Sequence, residues 1–125
     1  MWIMTSLGFF SVVQKSGDAE KDTLTIRARA RADLEALRQN YLPELGSIVT
    51  NGETDYRYRA QAPPPKVGAA FQALVADIGY GNFKNEVQLR QGKGRAHVYN
   101  KVWNALWEIE EPSTAQALSA KSSRL

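Results

Sequence analysis

The sequence predicts an α+β fold: a four-stranded antiparallel sheet in the order ββαββα, covered on one face by helices and followed by extra C-terminal helices. Residues 24–30 and 53–62 alternate apolar and polar side chains, which is typical of strands. Residues 67–78 and 96–109 repeat apolar side chains with helical spacing. The 125 residues, of which 43% are hydrophobic, fit one domain. The pattern leaves the strand order open, including a ferredoxin-like order.

The first strand is predicted at residues 9–14, where β-formers are concentrated, with residues 2–5 in the same strand. Gly8 between the two parts indicates a bulge or a close approach of the backbone. Apolar side chains lie on both faces, with Phe10 and Val12 on one and Phe9 and Val13 on the other. A strand of this kind is usually central and covered on both sides.

Residues 15–22 are polar and predict a loop before the second strand at 24–30. In that strand Leu24, Ile26 and Ala28 share one face, and Arg27 and Arg29 share the other. A helix is predicted over residues 31–42, and Pro43 ends it.

Asn51-Gly52 predicts a two-residue type I′ turn between the third and fourth strands. This turn would place Thr50 opposite Glu53. Continued alternation to residue 62 would then direct Tyr56 and Tyr58 toward the core, with Arg57 and Arg59 on the opposite face.

Three further helices complete the prediction. Prolines at 63–65 begin one that reaches residue 78, and Asn82 caps a short one that extends through residue 90. After a loop at 91–94, the last helix covers residues 96–109. We therefore expect a single α+β domain at residues 1–111 and a frayed tail at 112–125.

Composition limits the chemistry. The chain has no cysteine and only one histidine, which excludes thiolate catalysis and histidine-rich metal sites but not a carboxylate-only magnesium site. We predict no cofactor, no bound metal and no catalytic constellation. The absence of disulfides favours the cytoplasm, and neither a secretory signal nor a membrane segment is predicted.

An arginine-bearing sheet face is the first candidate binding site. Arg27, Arg29, Arg57 and Arg59 would share one face of the sheet, where their guanidinium forks suit phosphates and carboxylates. The alternative is an ordinary solvated face whose arginines pair with carboxylates on neighbouring strands.

A basic segment is the second candidate. Residues 84–101 contain five Lys/Arg and one Glu, a net charge of +4, whereas residues 1–62 are neutral. Its candidate binding residues are Lys84, Lys93, Arg95 and His97. The alternative is a solvated loop between helices. His97 is the only conventional proton shuttle, but its polar helix stripe favours an exposed, structural role.

Surplus aromatic and apolar side chains suggest an interface. Trp103 and Trp107 lie four residues apart on the last helix, and Phe9 and Val13 need a cover. They fit either the core or the interface of a homodimer.

Several segments together resemble a group of short bacterial proteins of unknown function: Trp2-Ile3-Met4-Thr5, Gly8-Phe9-Phe10-Ser11-Val12-Val13, Leu24-Thr25-Ile26-Arg27-Ala28-Arg29, Asp55-Tyr56-Arg57-Tyr58-Arg59, Asn82-Phe83-Lys84 and Val102-Trp103. The resemblance covers roughly residues 2–109. It implies a bacterial or phage cytosolic protein and a shared fold, and it assigns no site.

Three functions follow as hypotheses. The first is a non-enzymatic, homodimeric interaction protein that engages an acidic partner through the arginine-bearing face or the basic segment. The second is a nucleic-acid-binding protein that contacts the phosphate backbone. The third is a small enzyme that acts on an anionic substrate with His97 as base.

Overall fold

The computed structural model describes residues 1–110, whose five strands form one sheet. They are β1 (Trp2–Met4), β2 (Phe9–Val13), β3 (Leu24–Ala28), β4 (Val49–Thr50) and β5 (Tyr58–Ala62). The order across the sheet is β1-β2-β3-β5-β4, and every neighbouring pair is antiparallel. The predicted α+β class and antiparallel sheet are confirmed. The sheet has five strands where four were predicted, and a ferredoxin-like order is not confirmed.

The helices of residues 1–110 are α1 (Asp18–Lys21), α2 (Arg31–Asn40), α3 (Pro64–Ala76), α4 (Phe83–Gln91) and α5 (Lys93–Leu106). The predicted cap of α4 is confirmed, because the Asn82 side chain accepts a hydrogen bond from the Asn85 N–H at 2.9 Å. The loop predicted at 91–94 is reduced to Gly92, whose φ of 89° separates α4 from α5. The tail predicted at 112–125 lies outside the described residues.

The extra strand arises at the N-terminus. Residues 2–4 and 9–13 are two strands of a hairpin, not one bulged strand. The Thr5 hydroxyl closes the turn between them by accepting hydrogen bonds from the N–H groups of Leu7 (3.1 Å) and Gly8 (3.0 Å). The close approach predicted at Gly8 is confirmed, since a Cβ there would lie 2.7 Å from the Cβ of Asp33.

The predicted two-residue turn at Asn51-Gly52 is wrong, although the strands on either side of it do pair antiparallel. Thr50 lies opposite Tyr58, so residues 51–57 form a loop between β4 and β5. Gly52 has no positive φ, which a type I′ turn requires. Instead the Asn51 side chain accepts a hydrogen bond from the Glu53 N–H at 3.1 Å, a local bond that competes with strand pairing.

The main core lies on the inner face of the sheet. Phe10, Ile26 and Ala60 point to this side, as the alternation predicted for β2, β3 and β5 requires. Helices α2 and α3 cover it with the predicted apolar stripes. The buried helical side chains of this core are Leu34, Leu37, Val67 and Ala70.

The opposite side of the sheet, here called the outer face, is partly covered by α1. Asp18 of this helix is fully buried and accepts four hydrogen bonds of 2.7–2.8 Å, from the Lys15 N–H and the side chains of Thr23, Thr25 and Gln61. The sequence predicted only a loop here. A buried carboxylate needs such donors, and they fix α1 against β3 and β5.

Helices α4 and α5 pack on each other and meet the sheet near the β1–β2 turn. Val87 and Tyr99 are buried in this helical pair, and the Tyr99 ring stacks on Phe83 with centroids 5.8 Å apart. Two hydrogen bonds reach the turn: the Gln91 side chain donates to the Ser6 carbonyl (2.6 Å), and the Tyr99 hydroxyl donates to the Thr5 carbonyl (3.3 Å). This placement brings α5 beside the outer face of β1.

Candidate functional site

A row of residues in register crosses all five strands on the outer face. Trp2 lies opposite Ser11, and Ser11 lies opposite Arg27. Arg27 in turn lies opposite Arg59, and Arg59 lies opposite Val49. Side chains in such a row point to the same side, so Arg27 and Arg59 share one face, as predicted. The structure also places them directly next to each other.

Tyr56 is buried among these arginines. The Cζ atoms of Arg27 and Arg29 lie 4.4 Å and 5.2 Å from the Tyr56 ring centroid. The Nε atom of Arg59 donates to the Tyr56 carbonyl oxygen at 3.3 Å. The prediction that Tyr56 faces the inner core is therefore wrong, because residues 51–57 are a loop and strand alternation begins only at Tyr58. Tyr58 does pack against the core.

The three arginines around Tyr56 carry positive charge and have no acidic partner within residues 1–110. Among residues 1–110, no carboxylate forms an ion pair with Arg27, Arg29 or Arg59. Arg27 donates one hydrogen bond, from Nη2 to the Ser11 hydroxyl at 2.7 Å, while its buried Nε has no partner within that part of the chain. In the part of the chain that the structure describes, these arginines therefore do not form the cross-strand ion pairs of the alternative interpretation.

Arg57, the fourth predicted member, is exposed in the loop that precedes β5. Its carbonyl accepts a hydrogen bond from the Asn51 N–H at 2.7 Å. We define the arginine face as Arg27, Arg29, Arg59 and the Tyr56 ring between them. Arg57 lies outside this cluster.

Aromatic rings continue the arginine face toward β1. The Phe9 ring lies between Tyr56 and Trp2, with centroid separations of 6.5 Å and 6.2 Å. Trp2 is 75% exposed, although it belongs to a strand of the sheet. No binding role was predicted for Trp2. Its place at the sheet edge follows from the β1–β2 hairpin, which differs from the single strand predicted there.

The four candidate residues of the predicted basic segment lie in different environments. Lys84 donates to the Asn100 side chain (3.2 Å), and its Nζ lies 4.3 Å from the Trp103 ring centroid. Lys93 and His97 are exposed on α5. Arg95 turns toward the sheet, where it is neutralised by a carboxylate.

That carboxylate belongs to Asp33, which is buried at the start of α2. Arg95 donates to both of its oxygens, at 2.8 Å and 3.0 Å, and the Phe9 N–H donates to one of them at 3.0 Å. The hydrogen bond to Asp33 raises the pKa of Arg95 above its ordinary value. Arg95 is therefore a structural link between α5 and the sheet. No role was predicted for Asp33.

The predicted interface residues are split between two environments. Phe9 and Val13 are half-buried on the outer face, and Phe9 already contacts aromatic rings of its own chain. Trp103 and Trp107 are 47% and 69% exposed and pack edge to face, with centroids 5.6 Å apart. The two groups are not brought together in one chain.

A cleft of about 390 Å³ was not predicted. Its polar wall contains Tyr41, Asp77, Glu86 and Arg90. The Tyr41 hydroxyl donates to Asp77 at 2.7 Å, and this bond, together with burial, raises the pKa of Tyr41 above 10. Arg90 donates to Glu86 at 2.7 Å. The arginine of this cleft is therefore neutralised by a carboxylate of residues 1–110, unlike the arginines of the arginine face.

Comparisons with protein families, with curated proteins and with solved structures found no match. In residues 1–110, no group of three histidine or carboxylate side chains is arranged to hold a metal ion. No helix in this part of the chain is both long and apolar enough to cross a bilayer. We take the arginine face as the candidate site because its arginines have no ion-pair partner among residues 1–110.

Proposed function

We propose that the protein is a non-enzymatic binding protein that engages a polyanionic partner through the arginine face. The observation that carries the proposal is the direct opposition of Arg27 and Arg59 with no carboxylate beside them among residues 1–110. Like charges opposite each other on a sheet are destabilising. A polyanion would remove that repulsion, so the folded protein favours such a partner.

The position of the arginines supports the same proposal. Arg27 and Arg59 project from paired central strands, and Arg27 is held by the Ser11 hydroxyl and the Tyr56 ring. Side chains that are already ordered lose little entropy on binding. Their guanidinium groups can bind carboxylate or phosphate oxygens bidentately.

An enzymatic role for His97 receives less support. The imidazole is exposed on α5, and no carboxylate among residues 1–110 forms an ion pair with it. A general base needs a substrate held within hydrogen-bond reach. The arginines that would hold an anionic substrate belong to the sheet, and His97 lines neither of the two clefts next to β1.

The test is binding of two polyanions, a short oligoglutamate and an oligothymidylate, measured by fluorescence anisotropy at about 50 mM salt. At least one should bind, with an affinity that falls steeply as salt rises. The double variant Arg27→Gln/Arg59→Gln should weaken binding by roughly tenfold or more. The control Arg31→Gln/Lys66→Gln removes the same charge elsewhere and should change binding by less than about twofold.

Two results would overturn the proposal. One is that neither polyanion binds at this salt concentration. The other is that the control variant loses as much affinity as the double arginine variant, which would mean that only net charge matters.

We further propose that the working unit is a homodimer in which a second copy covers the exposed stripe of α5. The stripe contains Trp103, Leu106 and Trp107, each about half exposed or more. Contiguous apolar patches of this kind mark interaction surfaces. A bacterial origin and a cytoplasmic location remain expectations from the sequence.

A further inference from the structure

A narrow cleft of about 270 Å³ lies beside the arginine face, between the outer side of β1–β2 and helix α5. Trp2, Met4 and Phe9 form its sheet wall, and Val98 and Val102 form its helix wall. It is smaller than most sites for drug-sized ligands. Its size and apolar walls therefore suit one flat ring system.

The cleft has one unbalanced charge. Arg29 and Arg95 both line it, but Arg95 is held by both oxygens of Asp33. Arg29 is exposed and has no carboxylate partner among residues 1–110. A ligand of this cleft should therefore combine a flat apolar ring with an anionic group near Arg29.

The Tyr56 ring joins the cleft to the rest of the arginine face. Arg27 and Arg29 both lie over this ring, and Phe9, a wall of the cleft, lies next to it. A ring in the cleft and several anionic groups along Arg29, Arg27 and Arg59 would thus belong to one continuous ligand. A chain of nucleotides has this combination, because every unit carries both a base and a phosphate.

We propose that the polyanionic partner is a single-stranded nucleic acid, with one base inserted between Trp2 and α5 and with its phosphates on the arginine face. This inference rests on the proposed function and names its partner class. An acidic peptide would supply carboxylates but no flat ring for the cleft. A duplex keeps its bases stacked and paired, so it could present only phosphates.

The experiment uses Trp2 as the reporter. In the variant Trp103→Phe/Trp107→Phe, Trp2 is the only tryptophan of the chain. Oligothymidylate should quench its fluorescence, since a base stacks on an aromatic ring, whereas an abasic oligonucleotide of the same length should not. The abasic strand should also bind roughly tenfold or more weakly, because it keeps the phosphates and loses the base.

Two variants test whether the base binds in this cleft. Val102→Phe fills the cleft from its helix wall and should reduce the affinity for oligothymidylate to near that for the abasic strand. Val75→Phe makes the same change on an exposed position of α3 and should leave both affinities unchanged. Both proteins are compared by circular dichroism, which confirms that they are folded.

The outcomes separate this inference from the proposed function. Three results would overturn the claim that a base is inserted: equal binding of the normal and abasic strands, equal binding of a duplex, or an unchanged Trp2 fluorescence. The proposal of a polyanion-binding protein would then still stand. Binding of oligoglutamate but of neither oligonucleotide would identify an acidic protein as the partner and overturn the inference. Binding of none of these probes would overturn both.

Discussion

Arg27 and Arg59 lie directly opposite each other on adjacent antiparallel strands, and both side chains point to the outer face of the sheet. The ring of Tyr56 lies under the Arg27 guanidinium, and no carboxylate among residues 1–110 neutralises either arginine. The fold thus maintains a repulsive pair at the centre of its sheet. Such an arrangement is consistent with selection for binding at some expense of stability.

The first prediction concerns this pair. Arg59→Gln should leave the free energy of unfolding unchanged or raise it by up to about 1 kcal/mol, because it removes a like-charge contact across the strands. The same variant should weaken polyanion binding. Urea denaturation and anisotropy on one preparation measure both effects, and a large loss of stability would show that Arg59 is needed for folding.

The second prediction concerns the link between α5 and the sheet. Asp33→Asn should lower the free energy of unfolding by about 1–3 kcal/mol, since Arg95 loses its charged partner in a largely buried site. Glu35→Gln in the exposed Arg31–Glu35 pair should cost less than about 1 kcal/mol. Equal losses in the two variants, measured by urea denaturation, would contradict this difference.

The third prediction is a pH dependence at Asp18. Burial alone would raise the pKa of this carboxyl, but the hydrogen bonds from Lys15, Thr23, Thr25 and Gln61 outweigh it and hold the pKa below its ordinary value of 3.8. Ionised Asp18 therefore stabilises the fold above that pH, and the contribution is lost as the pH falls through the lower, folded-state pKa.

Asp18→Asn tests this contribution, because its amide turns N–H groups toward existing donors. At neutral pH the variant should be less stable by about 1–3 kcal/mol. The difference in the free energy of unfolding between the variant and the original protein should become smaller as the pH is lowered through the acidic range. If thermal or urea unfolding gave a constant difference in stability across that range, Asp18 would not be the source of the pH dependence.

The fourth prediction compares two glycines. Gly8→Ala should destabilise the protein by about 1–3 kcal/mol, since the added Cβ would lie 2.7 Å from the Cβ of Asp33. Gly68→Ala in α3 meets no atom within 4 Å and should stabilise it by about 0.5–1 kcal/mol through helix propensity. Thermal unfolding of the two variants should therefore shift in opposite directions.

The fifth prediction concerns the exposed stripe of α5. Light scattering should give a mass near twice the 13.9 kDa of one chain. Leu106→Lys/Trp107→Lys should give a folded monomer, because two charges replace exposed apolar side chains. Gln72→Lys/Gln88→Lys, on exposed positions of α3 and α4, is the control and should remain a dimer. A monomeric original protein would contradict the prediction.

Local patterns predicted the parts of this fold that depend on local physics. The alternation around Ile26 identified β3 and its two faces, and the Asn82 cap identified the start of α4. Both signals arise from neighbours within a few residues. For the same reason the sequence correctly placed Arg27 and Arg59 on one face of the sheet.

Contacts between distant segments account for what the sequence did not predict. The Thr5 hydroxyl folds the first residues back into a hairpin, which puts Trp2 on the edge strand. Asn51-Gly52 is a strong turn signal, but side-chain bonds within residues 51–57 replace the tight turn and carry Tyr56 to the outer face. Asp33 and Arg95 are 62 residues apart, so no local pattern relates them.

The cleft beside Trp2 has one wall on the sheet and the other on α5, and these walls belong to separately packed parts of the chain. Val87 and Tyr99 are buried in the helical pair and are not members of the main core. A molecule that occupies the cleft must therefore bind only while the helical pair is docked. By linkage, such a molecule would slow the amide hydrogen exchange that requires α4 and α5 to undock from the sheet. It would slow the exchange that requires the central strands to open to a smaller extent.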